Sequence, residues 1–154
     1  MSIVELTDLP AALPPRTPIA AVDVGEKTIG VAVSDISRMI ASPLELIRKV
    51  KFTQDAERLF ALMRGRGATG LVVGLPVNMD GTEGPRCQAS RAFARNLLRL
   101  HDFPIAFWDE RLSTVAVQRM LTAEADLTRS RRAELVDKAA AAWILQGVLD
   151  RLAS

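Results

Sequence analysis

The chain has 154 residues, of which 49% are hydrophobic and 25% charged, and its 20 Lys and Arg residues against 18 Asp and Glu residues give a net charge of +2. These values predict one globular domain that folds without disulfide bonds or a structural metal, and the small net charge argues against a histone-like polycation. The single cysteine, Cys87, excludes an internal disulfide, and the single histidine, His101, argues against a zinc site built from several His or Cys ligands.

The first 17 residues carry Pro10, Pro14 and Pro15, which remove backbone donors and disfavour both helix and sheet. We expect a flexible proline-rich leader over residues 1–17 and one domain over residues 18–154. No apolar run approaches the roughly 20 residues of a membrane span, and the N-terminus lacks the basic-then-apolar pattern of a signal peptide. We therefore expect a cytoplasmic protein without a membrane partner.

Residues 19–24 form an almost unbroken apolar run, which is typical of a strand buried on both faces, and Asp23 is its one interruption. Because desolvation of a lone carboxylate costs several kcal/mol, a buried acid is usually paired with a cation or holds a metal. Gly25 allows a turn, and residues 29–33 predict an antiparallel second strand. Asp23 then either caps this turn or contributes to a metal or phosphate site at the carboxyl end of a central strand.

Residues 39–75 contain two strand patterns separated by a helix pattern. Pro43 predicts that the third strand, within residues 39–50, lies at a sheet edge. Thr53 is the expected N-cap of a helix that ends near Gly65. A second apolar run, residues 69–75, is predicted to lie parallel to the first strand because strand–helix–strand crossovers are right-handed.

Residues 76–85 are rich in turn formers, which predicts either a mobile surface loop or a flap over a site at the carboxyl edge of the sheet. The helix predicted over residues 86–100 has an apolar face and a solvated basic face, and the basic face by itself is weak evidence for nucleic-acid binding. Cys87 is expected to be a small helix residue rather than a nucleophile. The arginines of the basic face are Arg86, Arg91, Arg95 and Arg99.

A fifth strand is predicted over residues 104–108, with Asp109 and Glu110 directly after it. Ser113 or Thr114 is expected to cap a short helix, and a basic linker over residues 126–132 leads to a last helix from about residue 133 to 152. Asp137 heads one face of that helix, either because acids are favoured near a helix N-terminus or because it belongs to a site. The other members of this face are Ala140, Ala141, Ile144 and Val148.

The predicted topology places Asp23 and the Asp109–Glu110 pair at one sheet edge, and the last helix can bring Asp137 there. Carboxylates that meet without comparable Lys or Arg partners repel one another, and a divalent cation relieves that repulsion. Oxygen ligands favour Mg²⁺ or Mn²⁺. Two such ions, roughly 3.5 to 4 Å apart, would activate a water and stabilise the leaving oxygen in phosphodiester hydrolysis.

Four ordered segments between about Ile19 and Leu152 resemble the YqgF family of pre-16S rRNA nucleases, which is also described as Holliday-junction-resolvase-like. The resemblance implies an RNase H-like α/β fold, with a five-stranded mixed sheet in which strand 2 is antiparallel, strands 1, 4 and 5 are parallel, and helices flank the sheet. It also implies a bacterial cytoplasmic enzyme that trims the 5′ end of pre-16S rRNA. The matching segments are DVG with KTIGVAVSD at 23–35, VGLPVNMDGTEGP at 73–85, DERLST at 109–114 and VDKAAAAWILQ at 136–146.

By match to the family's acidic motifs, the implied catalytic and metal-binding residues are Asp23, Glu110 and Asp137. Whether Asp109 or Glu110 points into the site is open, because adjacent strand residues face opposite ways. Basic residues near these acids are expected either to hold phosphates of the substrate or to be ordinary solvated charges. The substrate partner is pre-rRNA or branched DNA, and ribosomal precursor particles are a further expected partner. These residues are Arg111, Arg129, Arg131, Arg132 and Lys138.

Two rival functions are left open by these residues, and a third is disfavoured. One is a Holliday junction resolvase that acts on DNA, and another is an RNase H-like module that binds nucleic acid without cutting it. The third is an ATPase of the sugar-kinase, Hsp70 and actin group, which the short chain and its single Asp-x-Gly argue against. Both tryptophans, Trp108 and Trp143, are expected to pack in the core rather than stack on bases.

Overall fold

A computed structural model of the protein describes residues 2–113 and 129–154, with side chains of the last helix described at 136 and from 139 onward. Its centre is a five-stranded sheet made of β1 (Ile19–Val24), β2 (Thr28–Ser34), β3 (Ala41–Arg48), β4 (Gly70–Leu75) and β5 (Ile105–Asp109). The strand order is β3-β2-β1-β4-β5.

Strand directions confirm the predicted mixed sheet. β2 is antiparallel to β1 and to β3, whereas β1, β4 and β5 are mutually parallel. β3, which carries Pro43, lies at the edge as expected. Every residue of β1 and β4 is buried, because helices cover both faces of the sheet at these central strands.

Four helices flank the sheet within the described residues, and two short 3₁₀ turns, Leu6–Asp8 and Glu110–Leu112, accompany them. The helices are α1 (Leu9–Ala12), α2 (Phe52–Arg66), α3 (Pro85–Leu100) and α4 (Arg129–Ala153). α2 and α3 pack on one face through residues such as Leu59 and Leu97. α1 and α4 pack on the other face, where Ile144 and Leu145 are fully buried.

Two predicted helix starts are wrong by a few residues. α2 begins at Phe52 with Lys51 at the N-cap, rather than at Thr53, and the Asp55 carboxylate accepts a hydrogen bond from the Val50 N–H before the helix. α4 begins at Arg129, so the second half of the predicted basic linker is helical. The short helix predicted after Ser113 or Thr114 lies outside the described residues.

The proline-rich N-terminal segment differs from the expected loose leader. Ile3 bridges Ile105 in parallel at the edge of the sheet, and Leu9 and Leu13 are 0% and 6% exposed in the core beneath α4. Pro10 lies in the first turn of α1, where backbone N–H groups have no partner within the helix, so the N–H that proline lacks is not needed. Prolines thus exclude long regular elements here without preventing the leucines between them from being buried.

None of the helices in the described ranges combines the length and apolar character needed to span a bilayer.

We expect Leu9→Ala to lower the free energy of unfolding by about 2 to 5 kcal/mol, because it removes a fully buried side chain from the core. Urea unfolding followed by circular dichroism measures this change. Ala11→Ser, at an exposed position of the same segment, is the control and should change stability by less than about 0.5 kcal/mol. An equally small effect of Leu9→Ala would mean that the segment is loose in solution.

Candidate active site

Asp23 lies at the carboxyl end of β1 and is 5% exposed. The parallel register pairs Val22 with Val73, so Asp23 is one step further along, beside Gly74 of β4. Side chains alternate along a strand, and Ala21, two residues earlier, belongs to the core under α4. Asp23 therefore lies on the α4 face of the sheet, as the metal-site hypothesis requires.

Glu110 directly follows β5 and is 4% exposed. A Cβ atom added to Gly74 would lie 3.2 Å from Glu110 Oε2 and 2.7 Å from Ile144 Cδ1. The carboxylate is thus packed over the Gly74 backbone, close to where α4 contacts the sheet. Only a residue without a side chain fits there, so Gly74 makes the space that the Glu110 carboxylate occupies.

Asp109 has a different environment from its neighbour. Its carboxylate accepts a hydrogen bond from the Arg111 N–H at 2.9 Å and another from Arg111 Nη2 at 2.7 Å. This hydrogen bonding to Arg111 holds the pKa of Asp109 below its ordinary value. Of the two acids that the sequence left open, Glu110 is the buried one, and Asp109 caps the 3₁₀ turn that begins at Glu110.

Asp137 lies on α4, and its side chain is outside the described part of the structure. Ala140 and Ala141, three and four residues later, are fully buried against the sheet. The i+3 and i+4 spacing places the three positions on one helix face, so the structure is compatible with the predicted third acid. Among the described side chains, no group of three His, Cys, Asp or Glu residues is close enough to hold a metal.

Arg86 is a neighbour of Asp23 that sequence analysis missed. Its Nη2 lies 3.9 Å from Asp23 Oδ1 and 3.4 Å from the Val24 carbonyl oxygen. The expectation that the acids lack a nearby cation is therefore corrected at Asp23. The Arg86 side chain is 43% exposed, so the pair contributes little to stability, about 0 to 1 kcal/mol. The sequence feature that indicated this proximity is the position of Arg86 directly after the 76–85 loop, which was predicted to lie at the carboxyl edge of the sheet.

The remaining predicted basic residues fall into two groups. Arg111 is held by Asp109, and its Nη1 is the nearest atom, at 3.8 Å, to the Cβ position of Gly81 in the 76–84 loop. The others lie in the first three turns of α4, with side chains outside the described set. These are Arg129, Arg131, Arg132 and Lys138.

The loop over residues 76–84 is ordered by its own hydrogen bonds. The Asn78 N–H donates to the Thr82 carbonyl oxygen, and the Asp80 carboxylate accepts from the Thr82 N–H and hydroxyl. At its end, Glu83 forms a bidentate pair with Arg91 of α3, with Nε and Nη2 at 2.7 and 2.8 Å. That the loop closes over the site remains a prediction.

Cys87 and Trp108 occupy the structural positions that the sequence predicted. Cys87 is fully buried on α3, and burial raises the pKa of its thiol to about 11, so the thiolate needed by a nucleophile is disfavoured. Trp108 is 6% exposed in the core under α4, and Trp143 packs partly buried against the same core.

Residues 17–151 match a family model described as RuvX: Holliday junction resolvase. A relative from Phenylobacterium zucineum, named as a pre-16S rRNA nuclease, is 71% identical over 99% of this chain and 98% of its own length. A relative of the same name from Rhodospirillum rubrum is 60% identical over 99% of this chain and 94% of its own length.

Among solved structures, the chain is similar to T. thermophilus RuvC in complex with a Holliday junction substrate. The TM-score is 0.52 at 14% sequence identity, and the match covers 88% of this chain and 96% of that one. At this identity the similarity shows the fold alone, which is RNase H-like, as the sequence predicted.

We expect Gly74→Ala to lower the free energy of unfolding by about 1 to 3 kcal/mol, because its Cβ would overlap Ile144 and press on Glu110. Gly65→Ala in α2 is the matched control. No atom lies within 4 Å of a Cβ at that position, and alanine should stabilise the helix by about 0.5 to 1 kcal/mol. Urea unfolding measures the free energy of unfolding of both variants. Equal changes in the two would contradict the close packing at Gly74.

The Glu83–Arg91 pair predicts a pH-dependent difference in stability between the wild type and Glu83→Gln. Hydrogen bonding to Arg91, with a smaller contribution from Cys87, lowers the pKa of Glu83 from 4.5 to about 2. A lowered pKa means that the stabilisation is complete above pH 4.5 and is lost as the pH falls toward 2. Thermal unfolding at a series of pH values should therefore show the two proteins converging in acid. A constant difference across this range would exclude the pair as its source.

Proposed function

The chain belongs to the RuvX family, and on that premise we propose that it is a divalent-metal-dependent nuclease that trims the 5′ end of pre-16S rRNA. The observation that supports this proposal is the burial of two carboxylates next to Gly74, with Asp23 beside it on β1 and Glu110 packed over its backbone. They come from strands that are distant in sequence. Relatives up to 71% identical over almost the whole chain carry the name of this activity.

The site residues suit a hard divalent cation. Asp23 and Glu110 supply only oxygen donors, which Mg²⁺ and Mn²⁺ prefer over zinc or copper ligand sets. Asp137 is the proposed third ligand, one turn before the buried alanines of α4. When bound at such a site, a divalent ion supplies an activated water and stabilises charge on the leaving oxygen.

The contribution of the chain itself is to hold these acids rigidly. Asp23 is fixed by the paired backbone of β1, and Glu110 by the end of β5 and the contact with Gly74. A site built on strands keeps its geometry better than a site built on loops. Burial also lowers the effective dielectric constant, which strengthens the attraction between the carboxylates and a cation.

The proposed strand-binding residues are Arg111, Arg129, Arg131, Arg132 and Lys138. Asp109 engages Nε and Nη2 of Arg111, and this fork directs Nη1 toward the 76–84 loop. Guanidinium and ammonium groups contact phosphates without regard to base identity, so these residues would position the strand rather than select its sequence. The proposed substrate implies a cytoplasmic protein that meets its RNA on ribosomal precursor particles.

The description of the family as a Holliday junction resolvase favours one second candidate, cleavage of branched DNA. An RNase H-like site can hydrolyse either polymer, because the reacting group is a phosphodiester in both. A comparison of substrates, rather than of site residues, therefore separates the two functions.

We expect Asp23→Asn, Glu110→Gln and Asp137→Asn each to reduce Mg²⁺-dependent cleavage at least about 100-fold, because each removes a proposed metal ligand. The assay uses a 16S precursor fragment with a 5′ extension and, in parallel, a four-way DNA junction. Mn²⁺ titration calorimetry should show weaker ion binding by the same variants.

Asp109→Asn is the matched control for Glu110→Gln. It changes the neighbouring acid, which is paired with Arg111, and should cost less than about tenfold. If Asp23→Asn binds Mn²⁺ and cleaves as the wild type does, the proposed site is wrong. If the wild type cuts neither substrate, the chain is a binding module, and preferential cutting of the junction favours the second candidate.

A further inference from the structure

An open cavity of about 420 Å³ lies beside Asp23, at the end of the sheet where β1 and β3 terminate. Asp23 forms part of its wall, so the cavity adjoins the proposed catalytic site. It belongs neither to the buried space under α4 nor to the 76–84 loop. Its lining consists of Asp23, Gly25, Glu26, Lys27, Thr28, Arg48 and Arg86.

Basic side chains from three separate segments converge on this cavity because of the strand order. Lys27 lies in the β1–β2 turn, and Arg48 is the last residue of β3, paired in register with Thr28. Arg86 lies in the first turn of α3, which begins at the same edge of the sheet. The hairpin and the helix thus place three cations around one concavity.

The charges in the cavity are not matched by carboxylates. Three cations face two acids, Asp23 and Glu26, in its lining. Within residues 2–113 and the described side chains of α4, neither Lys27 nor Arg48 takes part in an ion pair, whereas Arg58 and Arg91 elsewhere on the surface do. A concave surface with surplus positive charge attracts and concentrates anions.

We propose that this cavity is a phosphate subsite that binds the nucleic-acid backbone next to the bond to be cut. The inference rests on the proposed nuclease function. Because Asp23 forms one wall, a phosphate held by Lys27 and Arg48 belongs to the same stretch of strand that reaches the acids. The lining contains no aromatic side chain, so the subsite recognises backbone charge rather than a stacked base.

Arg86 links the subsite to the metal site. Its guanidinium lies 3.9 Å from Asp23 Oδ1, so it competes with a cation for that carboxylate. When a divalent ion neutralises Asp23, the guanidinium is available to a phosphate in the cavity. The substitution Arg86→Met should therefore have opposite effects on the two ligands, with weaker nucleic-acid binding and Mn²⁺ binding tighter by up to about fivefold.

The test measures binding of full-length protein to a fluorescein-labelled single-stranded RNA in EDTA, by anisotropy over a range of KCl concentrations. For the double variant Lys27→Ala/Arg48→Ala, the slope of log K against log salt should become shallower by about 0.7 for each phosphate that the protein no longer neutralises. KM for cleavage should rise while kcat changes little. Arg99→Ala is the matched control. Arg99 is exposed in the last turn of α3, at the other end of the helix from Arg86 and the cavity.

Three results would overturn the subsite: an unchanged slope in the double variant, an equally shallow slope in Arg99→Ala, or inorganic phosphate binding as tightly as the RNA. The last result would indicate a site for free anions. Equal melting temperatures of wild type and variants establish that folding is not the cause, as expected for exposed positions.

Asp23→Asn separates this inference from the proposed function. If that variant cleaves RNA normally while the double variant has a shallower slope, the proposed nuclease site is wrong, whereas the cavity still binds backbone phosphate. If Asp23→Asn is inactive while the double variant binds and cleaves as the wild type does, the subsite is wrong and the nuclease site stands.

Discussion

Asp23 and Glu110 are buried at the carboxyl edge of the sheet, although desolvation of a carboxylate costs several kcal/mol. The layers around them are arranged to allow that burial. β1 and β4 are covered on both faces, and α4 lies over the face that carries both acids. Burial of both acids is costly for stability, because removing a charged group from water is rarely repaid in full by its new contacts.

Close packing of α4 on the sheet depends on small residues at the contact. Gly74 leaves room for Glu110 and Ile144, and a Cβ on Gly147 would lie 3.1 Å from the Trp108 ring. Ala140 and Ala141 are fully buried on the same helix face. These small residues let the backbone of α4 approach β4 and β5 closely.

Basic residues surround the acids in two different ways. Arg111 is engaged by Asp109 in a bidentate pair, which restrains it beside the 76–84 loop, whereas Lys27 and Arg48 form no ion pair with any described residue. Arg86 is intermediate in its pairing: its guanidinium lies near Asp23 but beyond hydrogen-bonding distance. This gradation suits a site in which some cations fix the architecture and others neutralise an incoming polyanion.

The sequence by itself determined the strands, their directions and the location of Asp23 at the end of a central strand, because apolar periodicity and crossover handedness are local or general properties. It placed one of Asp109 and Glu110 at the same edge but did not distinguish them. Which of the two acids is buried depends on the residue at which β5 ends and the 3₁₀ turn begins. It also depends on the space above Gly74, which is set by β4 and α4. The packing of Leu9 and the approach of Arg86 to Asp23 were likewise decided only by tertiary structure. Each depends on partners that are distant along the chain, which the local apolar periodicity does not identify.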